Sequence, residues 1–323
     1  MELDKYYNDG INNILIYKND KLVYKKRRTI SRVSKKKTDH IYNYKNTTYY
    51  HPYYKNKNLH TIMSITKSIM SLLYGIAIQN GDIKISIIND NINKYFQEYN
   101  KYFKNNKLRN KIKVKHLLTM TSGIKWIKKN DYNNPKHPTT LMETSNNWLD
   151  YIFSRDMEYE PGEYFLYKDC DAVLLGEIFK KITNETLEDY ANKYLFNILK
   201  IKSYYWKKKP DGNTDSQGGL YLSAESLSKI GKLVLNNGKI NNIQLVSKKW
   251  LDISFINYKS NKKEKYGYGF QWWIYKNAIF GWGYKGQLLF IIPEKNIVSV
   301  INQWNSKNEL DPYYFYNLYL KNL

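Results

Sequence analysis

Residues 60–81 of this chain read HTIMSITKSIMSLLYGIAIQNG. From Ser64 to Asn80 this stretch is apolar almost all round, and a helix with no polar face is a buried helix. The pair Asn80-Gly81 marks its end, because glycine readily adopts the left-handed conformation that terminates helices. The sequence therefore predicts a buried helix over Ser64–Asn80.

Ser64 and Lys67 fall in the first turn of this predicted helix. Side chains three residues apart share one helix face, so the hydroxyl and the amine can meet. Burial lowers the proton affinity of a lysine, which can then act as a base. The positive end of the helix dipole also favours developing negative charge. The pair suits a serine nucleophile and its base.

The Ser-x-x-Lys pattern alone has little weight, because a lysine-rich chain produces it by chance. It occurs at four further places, Ser34/Lys37, Ser122/Lys125, Ser226/Lys229 and Ser260/Lys263. Those four pairs fall in predicted loops or on amphipathic surface patterns. Context therefore favours Ser64 and Lys67.

The charge of the chain suggests a different class of function. Lys and Arg number 52 against 29 Asp and Glu, a formal net charge of +23, and such an excess is the electrostatic footprint of a nucleic-acid binder. Arginine, which makes bidentate contacts to phosphates and bases, is scarce. It occurs only at Arg27, Arg28, Arg32, Arg109 and Arg155. Abundant Lys, Asn, Ile and Tyr indicate an AT-rich genome, so nucleic acid is not expected as a partner; a polyanion patch over Lys25–Lys37 is the alternative.

Composition limits the remaining classes. The 323 residues, 42% hydrophobic and 16% aromatic, exclude a disordered chain and suit one large two-part domain. The single cysteine, Cys170, excludes an intrachain disulfide and fits a reducing compartment. The N-terminal residues do not resemble a signal peptide, and the longest apolar stretch, Ile69–Ile78, is too short for a membrane span. A cytoplasmic location is predicted.

Strand and helix patterns occupy different parts of the chain. Strand patterns lie near both ends, and helical spacing dominates from Ile83 to about Lys209, which predicts an antiparallel sheet made from both ends with a helical insertion. The predicted strands are Ile14–Tyr17, Leu22–Tyr24, Tyr266–Tyr275, Ala278–Phe280, Leu288–Ile292 and Ile297–Ile301. The further predicted helices are Lys113–Met120, Ala172–Ile182, Leu187–Leu199, Ser223–Leu235 and Asp311–Leu320.

Other catalytic patterns find no support in the sequence. There is no Gly-x-Ser-x-Gly elbow of the α/β-hydrolase type. The five histidines, His40, His51, His60, His116 and His137, have no metal-ligand spacing. His116 is interpreted as a structural residue, and no metal is expected.

Four segments in order resemble the beta-lactamase-related serine hydrolases. This family includes class C beta-lactamases, DD-peptidases, family VIII esterases and 6-aminohexanoate-dimer hydrolases. Residues 60–77 resemble its active-serine helix, and IKVKHLLTMTSGIKW (112–126) resembles a second family segment. PGEYFLY (161–167) resembles the approach to its second motif. GGLYLS (218–223) and GYKGQ (283–287) resemble its glycine motifs.

The resemblance implies a role for each matching residue. Ser64 would be the nucleophile, Lys67 its general base and Tyr167 the proton shuttle to the leaving group. The oxyanion donors would be the backbone N–H of Ser64 and one on the strand near Tyr284. Asp169 and Gly283 complete the implied substrate-binding or oxyanion set. No cofactor is implied.

The resemblance also implies a beta-lactamase/transpeptidase-like α+β fold, in which helices flank an antiparallel sheet and a helical lobe covers the cleft. Residues 1–323 would form one domain. Its sheet lobe would comprise about 1–75 and 215–323, and its helical lobe about 76–214.

Two departures from the family pattern bear on activity. Asp169 replaces the asparagine of the Tyr-x-Asn motif, and its negative charge beside Lys67 would favour a protonated lysine. The third motif aligns with Gly281-Trp282-Gly283 and lacks the family's cation, unless Lys285 replaces it. This argues against beta-lactam and peptide substrates.

Two hypotheses follow. The first is a serine hydrolase that cleaves a small ester or amide through an acyl-enzyme. The second is a catalytically weakened relative with a scaffold or interaction role. A direct contact between Lys67 and Asp169 would favour the second, because it would keep the lysine protonated. The sequence does not indicate an oligomeric state.

Overall fold

The computed structural model describes residues 11–27, 58–127, 134–259, 265–303 and 310–323. The strands are β1 (Ile11–Lys18), β2 (Lys21–Arg27), β3 (His60–Thr61), β4 (Tyr205–Trp206), β5 (Leu220–Leu222), β6 (Lys239–Ile240), β7 (Ile243–Gln244), β8 (Gly267–Tyr268), β9 (Trp273–Tyr275), β10 (Ala278–Gly283), β11 (Gln287–Ile292) and β12 (Ile297–Gln303). The α-helices are α1 (Ile65–Asn80), α2 (Val114–Leu118), α3 (Pro138–Thr144), α4 (Trp148–Ser154), α5 (Asp169–Thr183), α6 (Leu187–Ala191), α7 (Ala224–Leu235), α8 (Lys248–Ser254) and α9 (Pro312–Phe315). Short 3-10 helices cover Ile85–Asn89, Ile92–Tyr95, Gln97–Tyr102, Arg109–Lys111 and Pro293–Lys295.

Strands from both ends of the chain join in one antiparallel sheet. Its seven strands have the order β2-β1-β12-β11-β10-β9-β8. The two ends meet where β1 pairs with β12, with Ile14 opposite Ile301. A smaller sheet, β3-β5-β4, lies beside the start of α1. The predicted α+β architecture, with helices inserted between the sheet-forming ends, is confirmed.

Both faces of the main sheet are covered by apolar side chains. One face packs against α1 and α7. The other is covered by α9 and the helical turn after it, through residues such as Phe315 and Leu320. Because both faces are covered, all residues of β11 and β12 are buried. This explains the unbroken apolar run Leu288–Ile292 in β11, where a half-exposed strand would alternate.

The predicted helix over Ser64–Asn80 is α1, with Ser64 as its N-cap. It ends at Gly81, whose φ is +85° and whose N–H donates to the carbonyls of Ala77 and Ile78. It packs against β10 and β11 on one side and against α5 and α8 on the other. Each fully buried Leu or Ile on it contributes about 1.5–3 kcal/mol to stability.

The predicted single strand over Tyr266–Tyr275 is wrong in its middle. The structure has β8 and β9, which are separated by residues 269–272. Gln271 there has a φ of +65°, and its N–H and side-chain amide donate to the carbonyl of Leu118. Contact with the end of α2 replaces strand pairing at this point. Likewise, the predicted helix Leu187–Leu199 consists of α6 followed by a π-helical turn, Asn192–Phe196.

The proposed lobe boundaries stay a prediction. The strands of the main sheet come from residues 11–27 and 267–303, and α2 to α6 come from residues 114–191. Across the described ranges, no helix has the length and apolar character needed to cross a membrane.

Candidate active site

Ser64 is presented by a strained turn at the start of α1. Met63, just before it, has a φ of +49°, a conformation that costs a residue with a side chain about 1–2 kcal/mol. The turn is held by hydrogen bonds from Met63 N to Thr61 Oγ1 (3.2 Å) and from Thr66 N to Met63 O (2.9 Å). Ser64 is half-buried, whereas the helix after it is buried as far as Ala77. The turn thus leaves the Ser64 side chain partly accessible.

Lys67 lies one turn further along α1, and its side chain is only 1% exposed. Its Nζ donates to Oγ of Ser64 (2.9 Å), Oδ1 of Asp169 (2.7 Å) and the backbone oxygen of Gln217 (2.7 Å). An ammonium group has three protons, and here three acceptors surround it. The geometry therefore suits the charged form of Lys67.

The electrostatics of the site lead to the same protonation state. Burial alone would lower the pKa of Lys67, but the charge of Asp169 and hydrogen bonds to Asp169 and Tyr167 outweigh it, so the pKa is raised. Lys67 is therefore an ammonium at neutral pH. The sequence left two opposing effects open, desolvation and the charge of Asp169, and the 2.7 Å contact gives the second the larger weight.

Asp169 opens α5 and is held at both oxygens. Oδ1 accepts from Lys67, and Oδ2 accepts from Oγ1 of Thr139 (2.7 Å). Its position in the first turn of a 15-residue helix also places its charge at the positive end of the helix dipole. The contact between Lys67 and Asp169, on which the two hypotheses diverge, is thus present.

Tyr167 lies two residues before α5 and faces the same group. Its ring centroid is 5.3 Å from Nζ of Lys67, and its hydroxyl is within hydrogen-bonding reach of Ser64 and Lys67. The ring stacks on Trp273 with centroids 5.3 Å apart. Burial raises the pKa of Tyr167, although Lys67 and Ser64 oppose this. The residue is a neutral phenol at neutral pH.

Gly283 ends β10 directly against the segment that leads to Ser64. A Cβ at this position would lie 2.5 Å from the backbone oxygen of Ile62 and 2.9 Å from Cβ of Met63. No side chain fits there, so the glycine allows the strand to approach the start of α1. This close approach places the end of β10 next to Ser64.

Tyr284 lies beyond the strand on which it was expected. β10 stops at Gly283, and Tyr284 begins a turn in which Lys285 and Gly286 have φ values of +63° and +76°. Tyr284 is half-buried, and Nζ of Lys285 lies 5.2 Å from its ring centroid. A cation is thus present in this turn, although the aligned third motif has none.

Three residues of the site were missed by sequence reasoning. Thr139 and Glu143 of α3 contact Asp169 and Gln217, and the backbone oxygen of Gln217 contacts Lys67. Gln217 directly precedes a glycine motif and could have been suspected. Thr139 and Glu143 lie in a segment with no recognisable motif.

The other Ser-x-x-Lys pairs have different partners. Ser122 is buried and donates to Asp171 (2.6 Å). Lys229 donates to the carbonyls of Leu199 and Lys200. The pairs Ser34/Lys37 and Ser260/Lys263 lie outside the described residues.

The basic stretch Lys25–Lys37 is described only at its start. Within β2, Lys25 and Arg27 form ion pairs with Glu225 at 3.5 Å and 2.8 Å. These two cations are therefore partly neutralised within the chain itself. Residues 28–37 lie outside the described ranges.

His116 has a structural role in the fold. Its Nδ1 accepts a hydrogen bond from the backbone N–H of Lys113 (3.1 Å), which caps the start of α2. In the described part of the chain, no group of three or more His, Cys, Asp or Glu side chains is arranged to hold a metal ion.

The structure is similar to several solved structures. A protein from Bacillus anthracis assigned as a 6-aminohexanoate-dimer hydrolase has a TM-score of 0.72 at 16% identity, over 99% of this chain and 80% of that one. An octameric penicillin-binding protein homologue from Pyrococcus abyssi has a TM-score of 0.68 at 23% identity, over 99% and 75%. A D-stereospecific amidohydrolase from Streptomyces has a TM-score of 0.66 at 14% identity, over 94% and 92%. At these identities the similarity establishes the beta-lactamase/transpeptidase-like fold.

Sequence comparison gives the family. No curated protein matches this sequence. A family model described as Beta-lactamase matches residues 14–316, which includes every candidate site residue from Ser64 to Tyr284. The chain belongs to the beta-lactamase family.

Proposed function

We propose that this chain is a serine hydrolase that cleaves a small ester or amide through an acyl-enzyme on Ser64. The observation that carries the proposal is the 2.9 Å hydrogen bond between Nζ of Lys67 and Oγ of Ser64. It joins a partly accessible hydroxyl to a buried amine, with the hydroxyl of Tyr167 beside both. A nucleophile, a proton acceptor and a proton relay in mutual contact are the parts that acyl transfer requires.

The resting ammonium of Lys67 must lose a proton before it can act as a base. Nζ gives up this proton to solvent and becomes a neutral amine; because the pKa of Lys67 is raised, the amine fraction is small at neutral pH and grows as the pH rises. Ser64 then attacks the carbonyl carbon while its proton passes to Lys67. This preliminary transfer adds to the barrier, so we expect slow turnover.

The later steps follow from the same contacts. When the tetrahedral intermediate collapses, the bond to the leaving group breaks, and the leaving group takes a proton from Lys67 through Tyr167. Water then attacks the acyl-enzyme by the reverse relay and regenerates Ser64. The backbone N–H of Ser64 and a donor near Tyr284 would stabilise the oxyanion, and the close approach of Gly283 to Ile62 supports this pairing.

The substrate class is a small molecule without a required carboxylate. The segment Gly281-Trp282-Gly283 has no cation to receive one, and the cation of the following turn, Lys285, lies over the ring of Tyr284. Among structural neighbours, one is a D-stereospecific amidohydrolase and one is assigned as a 6-aminohexanoate-dimer hydrolase. The first of these names supports the amide; the ester stays the alternative that the family resemblance implies.

A second candidate function rests on one observation, the Lys67–Asp169 ion pair at 2.7 Å with exposures of 1% and 4%. If the proton never leaves Lys67, Ser64 has no base. The chain would then be a catalytically weakened family member with a scaffold or interaction role.

Covalent labelling distinguishes the two functions. The full chain is incubated with a fluorophosphonate or a 4-nitrophenyl ester, and intact mass is recorded. An adduct on the wild type that is lost in Ser64→Ala supports the hydrolase. The matched control is Ser226→Ala, which removes the serine of another Ser-x-x-Lys pair and should leave the adduct unchanged. Absence of an adduct with every acyl probe supports the weakened protein.

A further inference from the structure

Helix α3 reaches the Lys67 site with two side chains on one face. Thr139 and Glu143 are four residues apart and therefore adjacent on the helix surface. Oγ1 of Thr139 donates to Asp169 at 2.7 Å, and a carboxylate oxygen of Glu143 accepts from Nε2 of Gln217. Asp169 and Gln217 supply two of the three acceptors of the Lys67 amine. The single helix α3 thus holds two of the residues, Asp169 and Gln217, that accept hydrogen bonds from Lys67.

Charged groups surround Glu143 on several sides. Glu143 is half-buried as a residue, and its carboxyl points inward, towards Asp169 at the start of α5, Asp215 before β5 and Lys67 on α1. Asp215 is also near the buried Lys207. Burial, followed by the charges of Asp215 and Asp169, raises the pKa of Glu143 well above its usual value. Glu143 is therefore neutral over part of the pH range in which an ordinary glutamate is ionised.

We propose that Glu143 is a positioning residue that sets the charge of Lys67 by holding Gln217 and by placing a second, ionisable carboxyl beside the amine. When Glu143 is neutral, its hydrogen bond with Gln217 keeps the backbone oxygen aimed at Lys67 without adding charge. When it is ionised, its negative charge strengthens the hold of Lys67 on its proton. Asp169 and Tyr167 act on Lys67 in the same direction in both states.

The direct test is the titration of Lys67 itself. The full chain is labelled with ¹³Cε-lysine, and Lys67→Arg assigns the Lys67 signal. Glu143→Gln keeps an acceptor for Gln217 but cannot ionise, so it should lower the proton affinity of Lys67 by about tenfold, one pKa unit. Glu143→Asp restores the charge and should return the pKa toward that of the wild type. The control Glu294→Gln makes the same change at an exposed turn and should have no effect.

The outcomes are decisive in either direction. An unchanged or raised Lys67 pKa in Glu143→Gln overturns the inference, as does a Glu143→Asp protein that behaves like Glu143→Gln. A purely structural role would reduce thermal stability in these variants without shifting this titration.

The consequence for catalysis rests on the proposed function and is measured separately. In a protein that forms the Ser64 adduct, Glu143→Gln should accelerate acylation by about the same tenfold factor above neutral pH, because more Lys67 is an amine. If the wild type forms no adduct, the hydrolase proposal fails while the titration still decides the role of Glu143. If the adduct forms and the titration does not shift, only the Glu143 inference fails.

Discussion

Nζ of Lys67 lies 2.7 Å from Oδ1 of Asp169, and both side chains are almost completely buried. Removing one partner of a buried ion pair typically costs about 3–5 kcal/mol, because the other charge is left uncompensated. The same contact holds the proton that Lys67 must release to activate Ser64. Stability and reactivity therefore oppose each other at this pair.

We expect the Asp169→Asn variant to acylate Ser64 faster than the wild type and to be less stable. Asparagine still accepts a hydrogen bond from Lys67 but carries no charge, so the pKa of Lys67 falls toward neutrality and more amine is available. Ser64 acylation at neutral pH should rise by about tenfold or more, while the free energy of unfolding falls. Stopped-flow release of 4-nitrophenol and thermal unfolding measure the two effects. A variant that is stable but slower would refute this account of the base.

The acylation rate of the wild type should increase steadily with pH. Because the pKa of Lys67 is raised above its ordinary value of 10.5, the amine fraction grows about tenfold per pH unit throughout the range below it. A plot of log rate against pH should have a slope near one between about pH 7 and pH 9. Rates measured with Ser64→Ala are subtracted to remove hydroxide hydrolysis. A plateau within that range would contradict a protonated resting lysine.

The helix α1 and the contact between Ser64 and Lys67 could be predicted from the sequence, because both depend on local periodicity. The apolar run after Ser64 fixes α1, and the spacing of Ser64 and Lys67 on one turn fixes their contact. The charge of Asp169 was also visible as a departure at the second motif. Whether this charge acts on Lys67 could not be read from the sequence, because the two residues are 102 positions apart. The structure shows that it does, since the two side chains are 2.7 Å apart.

Two further features, the break in the strand at Gln271 and the position of Glu143 in the site, depend on contacts between distant segments. Gln271 leaves the strand conformation because its amide groups bond to the end of α2, more than 150 residues earlier. Glu143 enters the site only because α3 bonds to two distant positions, Thr139 to Asp169 and Glu143 to Gln217. No local pattern indicates either contact, so the strand break and this part of the site could not be predicted.

Replacing Gly283 by alanine should slow the acylation of Ser64, while the variant still folds. The added Cβ would lie 2.5 Å from the oxygen of Ile62 and must displace β10 or the turn that presents Ser64. A displacement near 1 Å can reduce a rate by about a hundredfold. The control is Gly218→Ala, where the nearest atom is the carbonyl carbon of Met63 at 3.8 Å, an ordinary contact. Equal rates for the two variants would show that the close approach is not needed.

The acid stability of the protein should depend on His116. Burial, together with the nearby cations Lys113 and Lys115, lowers the pKa of this imidazole from 6.5 to about 4. The unfolded chain therefore binds a proton that the folded chain rejects, so the stability from neutral His116 is complete above about pH 6.5 and is lost as the pH falls toward 4.

His116→Gln removes this titration while a side-chain oxygen can still cap the N–H of Lys113, as glutamine does in capping boxes. The wild type and the variant should have similar stability at neutral pH. At about pH 4.5 the variant should gain roughly 1 kcal/mol relative to the wild type, since partial exposure screens the full effect of the shift. Urea unfolding at the two pH values measures the difference. If the two curves are displaced equally at both pH values, His116 contributes through packing and its proton plays no part.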